Sequence, residues 1–170
     1  MLLFPGARAS CVLTYWTPTT VWMAGDSRAA TPAGERLPDV RKIIRRGRFL
    51  IGVTGEIQAP GYDLLQIMAA APGATSAALS TAILAAAQGH PLTLIVASFE
   101  QGRPVVYQNG RQLPGASGYA ATGITAAIDG LIAPMLSRDR ETALPRLIQI
   151  QAAADPVFVG GAVQVLKMGE

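Results

Sequence analysis

The order of elements readable along the chain predicts an α+β fold, with two antiparallel sheets stacked face to face and helices outside, a four-layer αββα sandwich. Three observations carry that expectation. The first 55 residues are dominated by β-forming runs broken by turn residues. Segments rich in Ala and Leu follow at 60–87 and 125–153. A second β-rich block stands between them, so strand blocks alternate with helix pairs. At 170 residues the chain has a one-domain length and room for a substantial core.

The opening element is a hairpin. Residues 10–26 read SCVLTYWTPTTVWMAGD, two β-rich runs around a Thr-Pro-Thr-Thr turn. A loop at 31–35 (TPAGE) leads to strands at 40–46 and 48–54 around Gly47. Helices are expected at about 60–71 and 76–87; the second is almost all Ala, Leu and small residues, a pattern expected of a buried helix. LTLIVASFE and RPVVYQNG then read as hairpin pieces with Asn109-Gly110 as the turn, and GYAATG as a third short strand. Helices return at about 125–136 and 140–153, Asp155-Pro156 stops the last one, and GGAVQVLKM closes the chain as a strand.

Composition narrows the function classes. Half of the residues are hydrophobic and 15% are charged, an inventory expected of a chain whose exterior largely meets other subunits. The net charge of +3 is modest and no base-stacking motif accompanies the basic segments, so nucleic-acid binding is not expected. The apolar stretch 66–89 is broken by Pro72 and Gly73 and is not read as a membrane span. Ala7-Arg8-Ala9 matches a small-x-small cleavage site, but MLLFP is shorter than the roughly 7–15 apolar residues a signal peptide needs. A cytoplasmic location follows as the expectation. One cysteine, Cys11, excludes an internal disulfide and suits a reducing compartment. One histidine and one cysteine cannot supply the usual ligands of a metal site, and no cofactor is expected.

The residues that point to chemistry are Ser10, Asp26 and Lys42. Asp26 stands sixteen residues after Ser10 and sixteen before Lys42. A hairpin returns its end beside its start, which makes Ser10 and Asp26 neighbours, and Lys42 opens a strand able to lie alongside. A carboxylate can hold an ammonium in place beside a hydroxyl, and the cation then lowers the pKa of that hydroxyl. The base is less obvious. His90 has no acid near it in sequence, which gives a Ser-His-Asp arrangement little support. A nucleophile without histidine can use its own α-amino group, which requires Ser10 at an N-terminus. Plainer readings stand beside these: a strand-start serine, Asp26 as a turn cap paired with Arg28, and Lys42 as a solvated strand charge. Cys11 reads as a small buried hydrophobe or, after cleavage one residue later, as a thiol nucleophile; the spacing to Asp26 favours the first.

AGDSRAA, the approach strand SCVLTYW and the later VRKI resemble the β-type subunits of the proteasome and, more closely in length, the bacterial HslV peptidase. The resemblance spans about 10–167, with its specific part in the first 55 residues. It implies an N-terminal-nucleophile (Ntn) hydrolase with residues 1–9 as a leader removed at Ala9-Ser10 and residues 10–170 as one domain; serine stands where the family has threonine. It also implies that Lys42 is buried against Asp26, that Arg28 supports the adjoining loop, and that the Gly55 N–H donates to the oxyanion, although Gly55 also reads as a turn glycine. Ala29, Val40, Val53 and Ile57 fall where the family builds its S1 pocket, and all four are apolar, so cleavage after hydrophobic residues is expected. Thr122 matches a family serine, Asp155 a family acid, and Val159 stands where a further serine would be. The implied function is hydrolysis of peptides or unfolded protein inside stacked homo-oligomeric rings, with an ATP-dependent unfoldase as a candidate partner. A non-catalytic ring subunit and an amidase or transpeptidase on the same fold are the alternatives.

Overall fold

The computed structural model describes residues 7–9, by their backbone, and 11–169. In chain order the strands are β1 (Ala7–Ala9), β2 (Cys11–Trp16), β3 (Thr20–Gly25), β4 (Ala29–Ala30), β5 (Arg36–Leu37), β6 (Ile43–Arg46), β7 (Phe49–Ala59) and β8 (Tyr62–Asp63). Helices α1 (Leu64–Ala70) and α2 (Ser76–Ala86) follow, then β9 (Leu92–Glu100), β10 (Arg103–Gln108), β11 (Arg111–Gln112) and β12 (Gly118–Gly123). Helices α3 (Ile132–Arg138) and α4 (Arg140–Ala154) precede the last strand, β13 (Gln164–Gly169). The chain is mixed α+β with antiparallel sheets. One sheet runs β11-β10-β9-β7-β1-β4-β5, with β6 and β8 also paired to β7, and the other runs β12-β2-β3-β13.

Three apolar clusters hold these elements together. Leu64, Met68, Leu79 and Ile83 of α1 and α2 pack on Ile51, Val53, Ile57, Leu94 and Val96 of the larger sheet. Ile132, Leu136, Leu144, Leu147 and Ile148 of α3 and α4 pack on Cys11, Leu13, Tyr15 and Ala24 of the smaller sheet. Between the sheets, Val12, Trp16, Val21 and Met23 meet Ile43, Leu50, Ile95, Ala97 and Val106. Each fully buried aliphatic side chain contributes about 1.5–3 kcal/mol. Because side chains alternate along a strand, β2 sends Cys11, Leu13 and Tyr15 to one cluster and Val12 and Trp16 to another, and all six of its residues are buried. The sheets approach closely at Gly52, where a Cβ would come within 2.8 Å of both Met23 Sδ and Val12 Cγ1.

Several boundaries differ from the sequence expectation, each for a local reason. Helix α1 begins at Leu64 rather than near residue 60, because Gly61 at φ +73° turns β7 into β8 and Asp63 caps the helix by accepting from Leu65 N and Gln66 N. Residues 126–131 are turns, and α3 starts only at Ile132, past Gly130, a poor helix former. Strand β6 starts one residue after Lys42, and β7 runs on past Thr54 to Ala59. Helix α2 buries one face, Leu79, Ser80 and Ile83, while Ala78, Ala85 and Ala86 are exposed, so it is not enclosed on all sides within one chain. Alanine exposes little apolar area and needs no cover there. Among the described residues no helix is long and apolar enough to cross a membrane.

Candidate catalytic site

The β2–β3 hairpin sets Val12 opposite Gly25, and one step further out Cys11 meets Asp26. Asp26 N donates to Cys11 O (3.3 Å), and Cys11 N donates to Asp26 Oδ1 (3.1 Å). Lys42 Nζ lies 2.5 Å from the same Oδ1, and both side chains are wholly buried. On its other oxygen, Oδ2, Asp26 accepts from Gly160 N at 2.9 Å. Lys42 is fixed through its backbone, with Val53 N donating to Lys42 O at 3.0 Å. Two charges buried together are tolerated only where further hydrogen bonds complete the geometry, and here two backbone N–H groups do so. Burial pushes the Lys42 ammonium below its ordinary pKa, while Asp26 draws it the other way. Lys42 is therefore not a solvated strand charge.

The backbone donor Gly160 is delivered by residues 155–161. Ser27 N and Arg28 N both donate to Gly160 O (3.1 and 3.0 Å). Arg28 does not pair with Asp26; its guanidinium lies across Gly160, where a Cβ would come within 2.9 Å of Arg28 Cζ, and Nη1 donates to Pro156 O. Asp155 closes α4 and accepts from Phe158 N at 3.4 Å. Arg28 and Asp155 thus shape the segment that presents Gly160 to Asp26, and neither contacts Lys42. Thr122 Oγ1 is 2.8 Å from Thr54 Oγ1 in a buried pair, immediately before Gly55 in β7. Gly55 has φ +106°, and a Cβ there would sit 2.5 Å from Pro91 O, so the position admits only glycine.

Ser10 lies outside the described residues. Its chain neighbours are held on both sides. In the sheet, Ala9 of β1 stands opposite Ala29 of β4 and Gly55 of β7, and on the other side Cys11 N–H is bound to Asp26. Of the four expected pocket residues, Val53 and Ile57 are buried in the cluster under α1 and α2 with Val40 packed against them. Ala29 is buried in β4, beside β1. Cys11 is fully buried, and its thiol is pushed up to about 12, mainly by burial and then by Asp26, which opposes a thiolate.

Three features escaped the sequence. Gly160 acts through a backbone N–H, which no side-chain pattern announces. Thr54 became visible only as the partner of Thr122. His90 does have an acid, Glu56, whose Oε2 lies 2.5 Å from Nδ1, and its ring stacks on Tyr62 with centroids 3.6 Å apart. A surface cleft of about 820 Å³, lined by residues including Pro18, Arg48, Glu100 and Arg103, shares no residue with this site.

No protein-family model and no curated protein matches the chain. Solved structures do. BPH from Thiobacillus denitrificans, solved in complex with epoxomicin, superposes with a TM-score of 0.67 at 15% identity, over 94% of this chain and 98% of that one. Anbu (ancestral beta-subunit) from Yersinia bercovieri superposes with a TM-score of 0.68 at 11% identity, over 94% and 82%. At such identities the likeness is one of fold, and that fold is proteasome-like.

Proposed function

We propose that the chain is a proteasome-like Ntn peptidase with the four-layer αββα stack of its class, Ser10 being the nucleophile freed by removal of residues 1–9. The observation that carries this reading is the course of β1. Ala7–Ala9 lies as a strand between β4 and β7, as an extended peptide substrate would, with Ala9 opposite Gly55 and the Cys11 amide on Asp26. In processing, the Ser10 hydroxyl attacks the Ala9 carbonyl carbon and the Ala9–Ser10 C–N bond breaks. The hydroxyl proton passes to the amine that is released, and water hydrolyses the resulting ester. In turnover the free amine takes the Ser10 hydroxyl proton, the oxygen attacks the peptide carbonyl, the C–N bond breaks as the amine returns the proton to the leaving group, and water then hydrolyses the Ser10 ester to release the acyl half and restore the hydroxyl. Lys42, held by Asp26, lowers the pKa of the hydroxyl, and the Gly55 N–H stabilises the oxyanion. Ala29, Val40, Val53 and Ile57 form the apolar S1 pocket, while Arg28, Thr122 and Asp155 support the frame.

The working form is a stacked homo-oligomeric ring in the cytoplasm, fed with peptides or, with an ATP-dependent unfoldase, with unfolded protein. Exposed Tyr119, Leu131, Ile150, Val157 and Val165 are consistent with subunit contacts. Sedimentation should give a species many times the 17.7 kDa chain, and a lone monomer would remove the ring. Intact-mass spectrometry tests the chemistry: wild type loses MLLFPGARA and Ser10→Ala keeps it. Pairing of β1 on both of its edges also favours a second reading, a non-catalytic ring subunit that keeps its leader. A full-length wild-type mass after prolonged incubation selects that reading.

A further inference from the structure

Strand β7 continues beyond Gly55, and the next residue, Glu56, stands opposite Arg8 of β1. The register shifts between Ala7 and Arg8, and from there Arg8 and Ala9 run in step with Glu56 and Gly55, so the backbone places a peptide residue at the position of Arg8 directly across from Glu56. The carboxylate is fixed there from the other side. Glu56 Oε2 is bonded to His90 Nδ1 at 2.5 Å, the His90 ring is stacked on Tyr62 at an interplanar angle of 7°, and Tyr62 Oη donates to Glu56 O at 3.3 Å. Glu56 N donates to Pro91 O at 2.8 Å, anchoring the backbone as well. The Glu56 side chain is 18% exposed, partly desolvated yet open to a ligand, and its other oxygen has no partner among the described residues. The Tyr62 hydroxyl is pushed up to about 12 by burial and then by the negative charges of Glu56 and Asp63, which marks a corner that favours cations.

We infer that Glu56, oriented by His90, is a specificity residue that selects a cationic side chain, Arg or Lys, at the second residue before the scissile bond. The chain's own segment carries an arginine at that position, Arg8 being the second residue before the proposed cut at Ala9-Ser10. The inference rests on the peptidase reading only for its word scissile; the pairing of a cationic strand position with Glu56 is separable from catalysis. A partly exposed ion pair is worth up to about 1 kcal/mol, which corresponds to about fivefold in affinity or rate.

The test has two arms. In the full-length protein carrying Ser10→Ala, hydrogen exchange at the amides of residues 7–9 and 55–57 reports docking of the strand without any cleavage. Arg8→Gln and Glu56→Gln should each speed exchange about fivefold, and Arg8→Glu with Glu56→Lys should restore protection. Arg8→Gln leaves the Glu56–His90–Tyr62 stack untouched, so a folding fault in the Glu56 variant cannot mimic the result. In the second arm, fluorogenic peptides with Arg-Ala before the leaving group should be cleaved about fivefold faster than Gln-Ala peptides, a preference that Glu56→Gln abolishes. Unchanged exchange in Arg8→Gln overturns the inference whatever the activity, as does equal cleavage of Arg and Gln peptides. Altered exchange with no cleavage of any peptide upholds the subsite and overturns the peptidase instead.

Discussion

Lys42→Met is the sharpest perturbation of the site. Methionine keeps an unbranched side chain of similar length in a space where Lys42 is wholly buried, so the packing loss is small and the lost charge dominates. Asp26 keeps its bonds from Cys11 N and Gly160 N but loses the cation 2.5 Å from Oδ1. Removing one member of a buried pair costs about 3–5 kcal/mol, because the remaining charge is left uncompensated. With about 2–4 °C in Tm per kcal/mol for a chain of this size, the midpoint should fall by about 6–20 °C. The double variant Lys42→Met with Asp26→Asn retains an acceptor for the two N–H groups and removes the stranded charge, so it should recover most of that loss. Thermal and urea unfolding followed by circular dichroism at pH 7 measure these shifts in wild type and in both variants. The double variant, though folded, should not remove its leader, which separates the chemistry from stability.

The same pair carries a signature in pH. The folded-state pKa of Lys42 lies below its unfolded value, so between the two values the unfolded chain binds more protons and stability rises with pH. The unfavourable contribution is fully present below the folded pKa and is gone above about 10.4, the unfolded value. The stability difference between wild type and Lys42→Met should therefore grow toward alkaline pH. A Lys42→Met protein within 1 kcal/mol of wild type at pH 7, or a difference that is flat in pH, would refute the reasoning: both outcomes need a solvated lysine.

Two further outcomes test the frame around the site. Thr54→Val and Thr122→Val should each cost about 1–3 kcal/mol by leaving a buried hydroxyl unpartnered, whereas the double variant should cost less than their sum; strict additivity in urea unfolding would show that the 2.8 Å contact does not couple them. Cys11, with its thiol pushed up to about 12, should resist a thiol-reactive dye at pH 8 until the chain unfolds, and rapid labelling of the native protein would return the thiol nucleophile to consideration.

What could be read from residues alone was decided by how local each contact is. The hairpin of β2 and β3 has a turn signal between two β-rich runs, so the meeting of its two ends followed from pairing. The burial of Lys42 against Asp26 came from the family resemblance, since an isolated lysine before a strand reads equally well as a surface charge. Gly160 reaches Asp26 from 134 residues away through a backbone N–H, an interaction that leaves no mark on residue type. Glu56 and His90 lie 34 residues apart and meet because Gly55 pairs with Leu92 across β7 and β9, a register that neither strand announces. The start of α1 is marked locally, by Gly61 as a turn glycine and by Asp63 as an N-cap just ahead of Leu64, signals that place it after residue 60.

The place of β1 ties activation to recognition on the peptidase reading. In the larger sheet β1 is the link between β7 and β4, paired to both. Removing it opens a slot two strand spacings wide, about 9.5 Å, flanked by the unpaired edges of Ala29–Ala30 and of β7 around Gly55. Unpaired strand edges invite a new strand, and only one extended peptide fits a slot of that width. Leader and substrate thus compete for the same ladder, so cleavage at Ala9-Ser10 would do two things at once, releasing the amine that serves as base and vacating the groove that the next peptide enters. A leader cut but still bound would inhibit as a product, and its hold would depend on how well its residues fit the groove. If Arg8 against Glu56 tightens that hold, Arg8→Gln should shorten the lag between leader cleavage and the onset of peptide turnover, and an unchanged lag would uncouple the two events.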